Sequence, residues 1–157
     1  MIFGPDDSFF NALAGIARQT PVLPLFGMGR TKLPPVYVGN VAEACVRVLA
    51  NPSTEGKIYE LGGPRVYTYK TMVQLVLKQV DRRRILAPVP FFVWDTLSAL
   101  MASLSNPPLT RDQVKLMKRH NVVEGKELTL QDLGIVPVPV EEIMPTYINR
   151  NHRVPAA

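Results

Sequence analysis

This chain of 157 residues contains very little cysteine and histidine. Its single cysteine, Cys45, allows no disulfide within the chain, and this scarcity agrees with a reducing compartment. Cys45 falls on the apolar side of a predicted helix, so we expect a buried, inert thiol. His120 and His152 have no His-x-x-x-His spacing and no neighbouring carboxylate partner. The sequence therefore predicts surface histidines and no metal site.

Long apolar runs are also missing. No stretch reaches 18 consecutive apolar residues, so we expect no membrane-spanning helix. The N-terminus shows no charged segment followed by an apolar one, so we expect no secretion signal. Apolar residues nevertheless make up 46% of the chain and charged residues 20%, which is typical of a globular protein. The net charge of +5 suits anionic partners, and charge spread evenly over the surface is the ordinary alternative.

The glycines form no recognisable phosphate-binding motif. A dinucleotide fingerprint places three glycines in a turn that opens a helix directly after a strand. Gly27-Met28-Gly29 lacks the third glycine and precedes a proline-containing segment, and no Gly-Lys-Ser/Thr loop is present. We therefore expect no phosphate cradle, and no cofactor bound by this chain alone.

Catalytic signatures are missing in the same way. Hydride-transfer enzymes of one large class use a lysine four residues after a tyrosine, and none of the five tyrosines has one. No serine stands in a Gly-x-Ser-x-Gly elbow. The paired acids Asp6-Asp7 and Glu141-Glu142 stand at predicted helix starts, where the helix dipole explains them. The sequence thus predicts no catalytic residue for the chain alone.

Short elements separated by prolines predict an α/β fold, or α+β for this segment in isolation. Side-chain caps are predicted at Asp7 or Ser8, at Asn40 and at Thr68. The first predicted helix begins near Phe9 and ends before Pro21, and its apolar residues at helical spacing are Phe10, Leu13, Ala14 and Ala17. The other predicted helices are Val41–Ala50, Tyr69 to Asp81, Phe91–Leu104, Thr110 to Arg119, and Val140–Asn149. The predicted strands are Val22–Phe26, Leu33–Val38, Lys57–Leu61 and Ile85–Val89, with the first two joined as a hairpin by Gly27-Met28-Gly29-Arg30.

Three stretches, in this order, resemble the C-terminal half of an extended or atypical short-chain dehydrogenase/reductase: Ile2-Phe3-Gly4-Pro5-Asp6-Asp7, Pro35-Val36-Tyr37-Val38-Gly39-Asn40-Val41-Ala42-Glu43-Ala44 and Tyr59-Glu60-Leu61-Gly62-Gly63-Pro64. Later stretches narrow the resemblance to the 39-kilodalton accessory subunit family of respiratory complex I and its bacterial relatives: Asn106-Pro107-Pro108-Leu109-Thr110-Arg111-Asp112-Gln113-Val114, Asn121-Val122-Val123, Asp132-Leu133-Gly134-Ile135 and Met144-Pro145-Thr146-Tyr147. The resemblance covers residues 2–150.

This resemblance implies the C-terminal substrate lobe of an NAD(P)-binding, Rossmann-like reductase over residues 1–150, followed by a flexible tail at 151–157. Such proteins bind NADP(H) through an N-terminal half that carries the glycine fingerprint. The cofactor-binding residues it implies here are Ile2, Phe3, Gly4 and Pro5, at the nicotinamide end of the pocket. It also implies that Arg30 and Tyr37 lie where the lobe closes over a ligand. The family commonly has Asp where this chain has Asn40.

A basic cluster precedes the apolar segment Phe91–Leu104. Arg82, Arg83 and Arg84 stand before it, and Lys115, Lys118 and Arg119 follow it. Basic residues on both sides of an amphipathic apolar helix are typical of binding to an anionic membrane surface. A core helix between two solvated charge clusters is the alternative.

These observations predict a non-catalytic binding or structural module related to a complex I accessory subunit of the respiratory chain. Its expected partners are respiratory complex subunits or a second copy, and an anionic membrane surface. The alternative is the substrate lobe of an NAD(P)-dependent epimerase or reductase whose cofactor-binding half is missing or on another chain. We expect no nucleic-acid binding, since exposed aromatics do not interleave with the basic residues. The expected location is the cytoplasm, at the inner face of the bacterial inner membrane, or the mitochondrial matrix side.

Overall fold

The computed structural model describes residues 1–101, 115, 118 and 126–149. The α-helices of this part are α1 (Ser8–Gln19), α2 (Val38–Ala50), α3 (Tyr69–Gln79), α4 (Phe91–Met101) and α5 (Val140–Tyr147). The strands are β1 (Ile2–Phe3), β2 (Val22–Phe26), β3 (Lys32–Leu33), β4 (Val36–Tyr37), β5 (Tyr67–Thr68) and β6 (Ile85–Val89). Helices alternate with short strands, as the sequence predicts.

The strands pair in three separate two-stranded sheets. β1 pairs with β4 and β2 with β6, both in parallel, while β3 pairs with β5 in the antiparallel sense. The predicted hairpin is therefore wrong. Its first strand, β2, pairs with the distant β6, and the glycine turn passes the chain to a different sheet. Its second strand is divided into β3 and β4 by Pro34 and Pro35, which have no N–H for a ladder.

Helix α1 follows the sequence prediction closely. The Asp7 carboxylate accepts the Phe10 N–H and caps the helix. The buried residues of α1 share one face at helical spacing and are Phe10, Leu13, Ala14 and Ala17. This face packs against α3, so the spacing of apolar residues in the sequence correctly predicts the α1 side of the contact between the two helices.

Helix α3 supplies the other half of that contact. The Thr68 hydroxyl accepts the Thr71 N–H at 3.1 Å and caps α3, as predicted. The buried residues of α3 are Tyr69, Met72, Val73, Val76 and Leu77. Together with α1, Phe3 and the apolar face of α5, they form the main core.

Helix α2 differs from its prediction. It begins at Val38, so Asn40 lies inside the helix and does not cap it. Asn40 is 6% exposed, and its Oδ1 accepts the Val138 N–H at 2.9 Å. The amide therefore ties α2 to the segment before α5, a contact between residues far apart in sequence.

The predicted strand Lys57–Leu61 is reduced to one parallel bridge, between Tyr59 and Leu128.

Cys45 is exposed on α2, and the prediction of a buried thiol is wrong. The reason is that α2 is apolar on two sides. Its inner side carries the partly buried Val41 and Val48 and the buried Ala44. Its outer side carries exposed apolar residues at positions 38, 42, 45, 46 and 49. Hydrophobic spacing alone could not select between these two sides.

The predicted helix Phe91–Leu104 is described as far as Met101. Residues 102–104, most of the predicted helix Thr110 to Arg119, both histidines and the tail lie outside the described residues. The last helix, α5, ends at Tyr147 with Pro145 inside it. Within the described part of the chain, no helix combines the length and apolar composition needed to cross a membrane.

Candidate functional site

The carboxyl ends of β1 and β4 lie side by side. Their parallel register pairs Ile2 with Val36 and Phe3 with Tyr37, so the turn that follows β1 lies beside the start of α2. In open α/β folds, ligands bind beyond the carboxyl ends of parallel strands. We call the residues at this edge, Ile2, Phe3, Gly4, Pro5 and Tyr37, the strand-end site.

Phe3 supports the strand-end site from inside the core. It is 1% exposed, meets Phe10 edge-on with the ring centroids 5.9 Å apart, and lies 5.8 Å from the Tyr37 ring. Ile2 and Pro5 are exposed, and Tyr37 is partly buried. The side chains accessible to a ligand are therefore those of Ile2, Pro5 and Tyr37, while Phe3 holds the tyrosine ring in place.

Gly4 lets the turn approach α2 closely. A Cβ at this position would lie 2.6 Å from Cγ1 of Val38, which is closer than carbon atoms pack. The Gly4 carbonyl also accepts the Asp7 N–H at 3.0 Å, which closes the turn before α1. Glycine is thus needed here to bring the chain against the start of α2.

Arg30 does not join the strand-end site. It lies with Lys32, Lys70 and Thr68 around an open cavity of about 750 Å³. We call this the cationic cavity. Its remaining lining consists of Leu25, Met28, Gly29, Leu86 and Pro88. Sequence reasoning found Arg30 but missed Lys32, Thr68 and Lys70.

Pairing of distant segments creates the cationic cavity. The antiparallel register of β3 and β5 places Lys32 opposite Thr68, and the Tyr69 N–H donates to the Thr31 carbonyl at 2.9 Å. Lys70 then falls in the first turn of α3. The only sequence signal was the pair of basic residues next to a glycine turn, since Lys70 is remote from both along the chain.

The turn between β2 and β3 approaches the cavity with unusual backbone angles. Gly27, Met28 and Gly29 all have positive φ, of 53°, 62° and 74°. For a residue such as Met28 the left-handed region costs about 1 to 3 kcal/mol. A Cβ on Gly29 would lie 2.8 Å from Cβ of Lys70, so glycine allows the turn to pack directly on α3.

Two buried phenols, Tyr67 in β5 and Tyr69 at the start of α3, stay protonated at neutral pH. Burial raises the pKa of Tyr69 to about 12. Burial, followed by a 2.6 Å hydrogen bond that its hydroxyl donates to Glu141, raises the pKa of Tyr67 far above its usual value. Neither phenol is tuned toward neutral pH, where a general acid or base works best.

The three arginines proposed for a membrane surface have different environments. Arg82 and Arg83 are exposed. Arg84 is partly buried, and its Nε donates to the Ala17 carbonyl at 2.7 Å and its Nη2 to the Arg18 carbonyl at 3.4 Å. These bonds satisfy carbonyls at the end of α1. Arg84 therefore has a structural role, and only the other two present their charges outward.

Lys118, which follows α4 along the chain, pairs with Asp95 of α4 at 2.7 Å, so one of the cations predicted to flank the apolar segment is engaged within the chain. Phe92, by contrast, is 69% exposed.

Among the residues that the structure describes, no group of three or more His, Cys, Asp or Glu side chains is placed to hold a metal ion.

No protein-family model matches the sequence. The chain is 31% identical over 154 residues to the mouse protein "NADH dehydrogenase [ubiquinone] 1 alpha subcomplex subunit 9, mitochondrial". This match covers 97% of the chain and 40% of the mouse protein. The chain is homologous to this subunit. The resemblance found in the sequence, to an accessory subunit of respiratory complex I, is confirmed.

The homologue of the complex I subunit has the fold expected of it. It superposes on the Citrobacter sp. triphenylmethane reductase complexed with NADP(H) with a TM-score of 0.65 and 18% identity, over 92% of this chain and 50% of that one. It superposes on the Helicobacter pylori ADP-L-glycero-D-manno-heptose-6-epimerase with a TM-score of 0.61 and 16% identity, over 98% and 42%. These matches confirm the Rossmann-like α/β fold class, with the chain corresponding to about half of each protein.

Proposed function

We propose that this chain is a non-catalytic binding and structural module of a respiratory-chain assembly. The observation that carries the proposal is the homology to a complex I subunit across 97% of the chain. The site geometry supports it, because the strand-end site offers exposed apolar side chains and backbone at a strand edge. The proposal locates the chain at the inner face of a bacterial inner membrane or on the mitochondrial matrix side.

The outer side of α2 is the surface that we propose docks onto the rest of the assembly. It is a continuous apolar stripe in which Val38 is 43%, Val46 66% and Leu49 87% exposed, with Ala42 and Cys45 between them. A helix that is apolar on two sides normally buries both of them between layers. Since the chain spans only 40% of the mouse relative, we propose that an NAD(P)-binding unit covers this stripe.

Docking of that unit would complete a pocket at the strand-end site. In this arrangement Ile2, Phe3, Gly4 and Pro5 form the wall at the nicotinamide end, and Tyr37 closes over the ligand. The backbone of Gly4 sets how near the wall comes to α2, because no Cβ fits there. The chain shapes the pocket, and the phosphates of NADP(H) are held by the partner unit.

Titration of NADPH and NADH against the purified chain tests the first half of this proposal. We expect binding at the strand-end site no tighter than millimolar, because one wall of a pocket fixes few ligand atoms. Micromolar affinity for either nucleotide that persists when Arg30→Gln and Lys70→Gln remove two cations of the cationic cavity would contradict the division of labour between wall and phosphate cradle.

Co-migration on native gels of gently solubilised membranes tests the second half. The wild-type chain is expected to run with complex I, and the double change Val46→Lys and Leu49→Lys is expected to release it. The control is Ala12→Lys with Gln19→Lys, which adds the same charge at exposed positions of α1. Free migration of the wild-type chain, or equal loss in the control, would overturn the docking surface.

The alternative is a substrate lobe of an NAD(P)-dependent epimerase or reductase, and the epimerase superposition is compatible with it. The two candidate functions differ in whether the assembled protein catalyses a reaction. If the chain, mixed with the unit that covers α2, interconverts or reduces a sugar nucleotide, the enzyme lobe is the right assignment. If the chain instead elutes as a stable dimer that the α2 double change separates, a second copy covers the stripe.

A further inference from the structure

The cationic cavity is separate from the strand-end site, and the function proposed above does not use it. Arg30, Lys32 and Lys70 line it from three different elements, and no acidic side chain of the described residues lines it. Because these three side chains carry the same charge and line one concave site, their electrostatic potentials add to a single positive potential. The described part of the chain pairs neither Arg30 nor Lys70 with a carboxylate.

The backbone around the cavity adds to the same potential. Lys70 lies in the first turn of α3, a helix of 11 residues, whose N-terminus carries partial positive charge. Thr68, which caps this helix, also lines the cavity. An anion in the cavity would therefore meet the Lys70 ammonium, the Arg30 guanidinium, which is suited to two-pronged hydrogen bonding with phosphate, and the positive end of a helix.

The remaining lining is apolar. Leu25 comes from β2, Leu86 and Pro88 come from the paired strand β6, and Met28 comes from the glycine turn that follows β2. The volume of about 750 Å³ lies in the range of small-ligand sites. A lining with cations on one side and aliphatic side chains on the other matches a ligand that carries a phosphate next to an apolar or aromatic group.

We propose that the cationic cavity binds the phosphate of a small phosphate ester, with Arg30 and Lys70 as the principal contacts and the β2–β6 side chains holding the ester's apolar part. Mononucleotides and phospholipid headgroups share this chemistry. Neither of these ligands requires the strand-end site or the α2 stripe. Failure of the phosphate proposal would therefore leave the docking proposal standing, and failure of the docking proposal would leave the phosphate proposal standing.

Isothermal titration calorimetry with inorganic pyrophosphate and with adenosine 5′-monophosphate tests the cavity directly. We expect saturable one-to-one binding of the nucleotide, weaker binding of pyrophosphate, and a loss of affinity as salt is raised. The double change Arg30→Gln and Lys70→Gln should weaken binding about tenfold or more, because two charge-assisted contacts are lost.

The matched control is Lys57→Gln with Lys78→Gln. It removes the same two charges from exposed positions outside the cavity lining and should leave the affinity within about twofold, as expected for charges beyond direct contact. Equal weakening in both double variants would show non-specific charge attraction and overturn the site. Circular dichroism melts of each variant verify that the fold is intact.

A second arm separates the two sources of phosphate. Phosphatidylcholine vesicles with and without phosphatidic acid are sedimented with the chain, and the cavity variant and its control are compared. Loss of sedimentation only in the cavity variant, with no calorimetric response to the mononucleotide, assigns a lipid headgroup. Nucleotide binding without vesicle binding assigns a soluble ester. If neither probe binds up to millimolar concentration, the proposal is wrong.

Discussion

The Tyr147 hydroxyl donates a 2.6 Å hydrogen bond to Oδ2 of Asp7, whose other carboxylate oxygen caps α1. One aspartate thus joins the last described helix to the first, across 140 positions of sequence. Tyr147 is 3% exposed and belongs to the main core. The pair orients the cap that starts α1, directly after the turn of the strand-end site.

Replacing Tyr147 by Phe is expected to reduce the free energy of unfolding by about 1.5 to 3 kcal/mol, the usual range for a hydrogen bond to a charged group. Chemical denaturation at pH 7 measures it. Tyr59→Phe is the control, since the described residues include no hydrogen-bond partner of the Tyr59 hydroxyl, and it should change stability by less than about 0.5 kcal/mol. Equal effects would mean that the Tyr147–Asp7 bond is not the cause.

The same pair predicts a pH dependence. Burial, and then the bond to Asp7, raise the pKa of Tyr147 above its usual value. Because the folded-state pKa lies above that of the unfolded chain, the stabilisation is complete below the unfolded pKa of about 10 and is lost as pH rises toward the folded value. The stability difference between the wild type and Tyr147→Phe should therefore shrink above that pH. A constant difference in denaturation experiments from neutral to strongly alkaline pH would contradict this linkage.

Two glycines should respond in opposite ways to alanine. A Cβ on Gly15, inside α1, meets nothing within 4 Å, so Gly15→Ala should stabilise by about 0.5 to 1 kcal/mol. Gly4→Ala places a Cβ against Val38 and should destabilise by about 1 to 3 kcal/mol. Adding Val38→Ala should recover most of that loss in thermal melts. Absence of recovery would show that Gly4 is needed for another reason.

Asn40 should stabilise the fold through its side-chain amide. Asn40→Ala leaves the Val138 N–H without its acceptor and should cost about 1 to 3 kcal/mol. Hydrogen exchange supplies a specific readout, because the Val138 amide should exchange faster while amides in the centre of α3 change only with global stability. Asn51→Ala removes an exposed turn bond to Ser53 and should cost less. A Val138 amide with unchanged protection would contradict the assignment.

The basic cluster should divide into one structural and two solvent-facing arginines. Arg84→Ala removes the bonds to carbonyls at the end of α1 and should cost about 1 kcal/mol. Arg82→Ala and Arg83→Ala should each change stability by less than about 0.5 kcal/mol. Urea denaturation of the three variants gives the comparison. Equal costs for all three would show that Arg84 is not distinct.

A membrane role for the cluster leads to a separate expectation. If the chain binds anionic vesicles through this surface, the double change Arg82→Glu and Arg83→Glu should abolish a salt-sensitive association. Arg84 is left unchanged so that α1 keeps its contacts. Sedimentation that persists in the double variant at low salt would exclude these arginines as the membrane contact.

Local signals in the sequence predicted the elements whose structure depends on near neighbours. Asp7 and Thr68 cap the helices assigned to them, and the buried face of α1 contains the four residues that its spacing indicates. Ile85–Val89 forms a strand with the predicted bounds. In these cases the caps lie within three residues of the N–H groups they accept, and the helical face repeats within a few turns.

Predictions failed where a distant segment competes for the same groups. The β2 strand pairs with β6 instead of with its neighbour, and the Asn40 amide binds Val138 instead of capping α2. The cationic cavity needs Lys70 beside Arg30, and the register of β3 with β5 produces that proximity. No local pattern encodes these distances.

The amino-acid sequence by itself determined the caps at Asp7 and Thr68, the buried face of α1, the fold class and the family resemblance, since each depends on residue type and short-range spacing. The tertiary structure alone decided that Cys45 lies outside, that Arg84 holds α1, and that three cations share one cavity. The physical reason is that burial and charge proximity depend on which segments meet in space. Their order along the chain leaves that choice open.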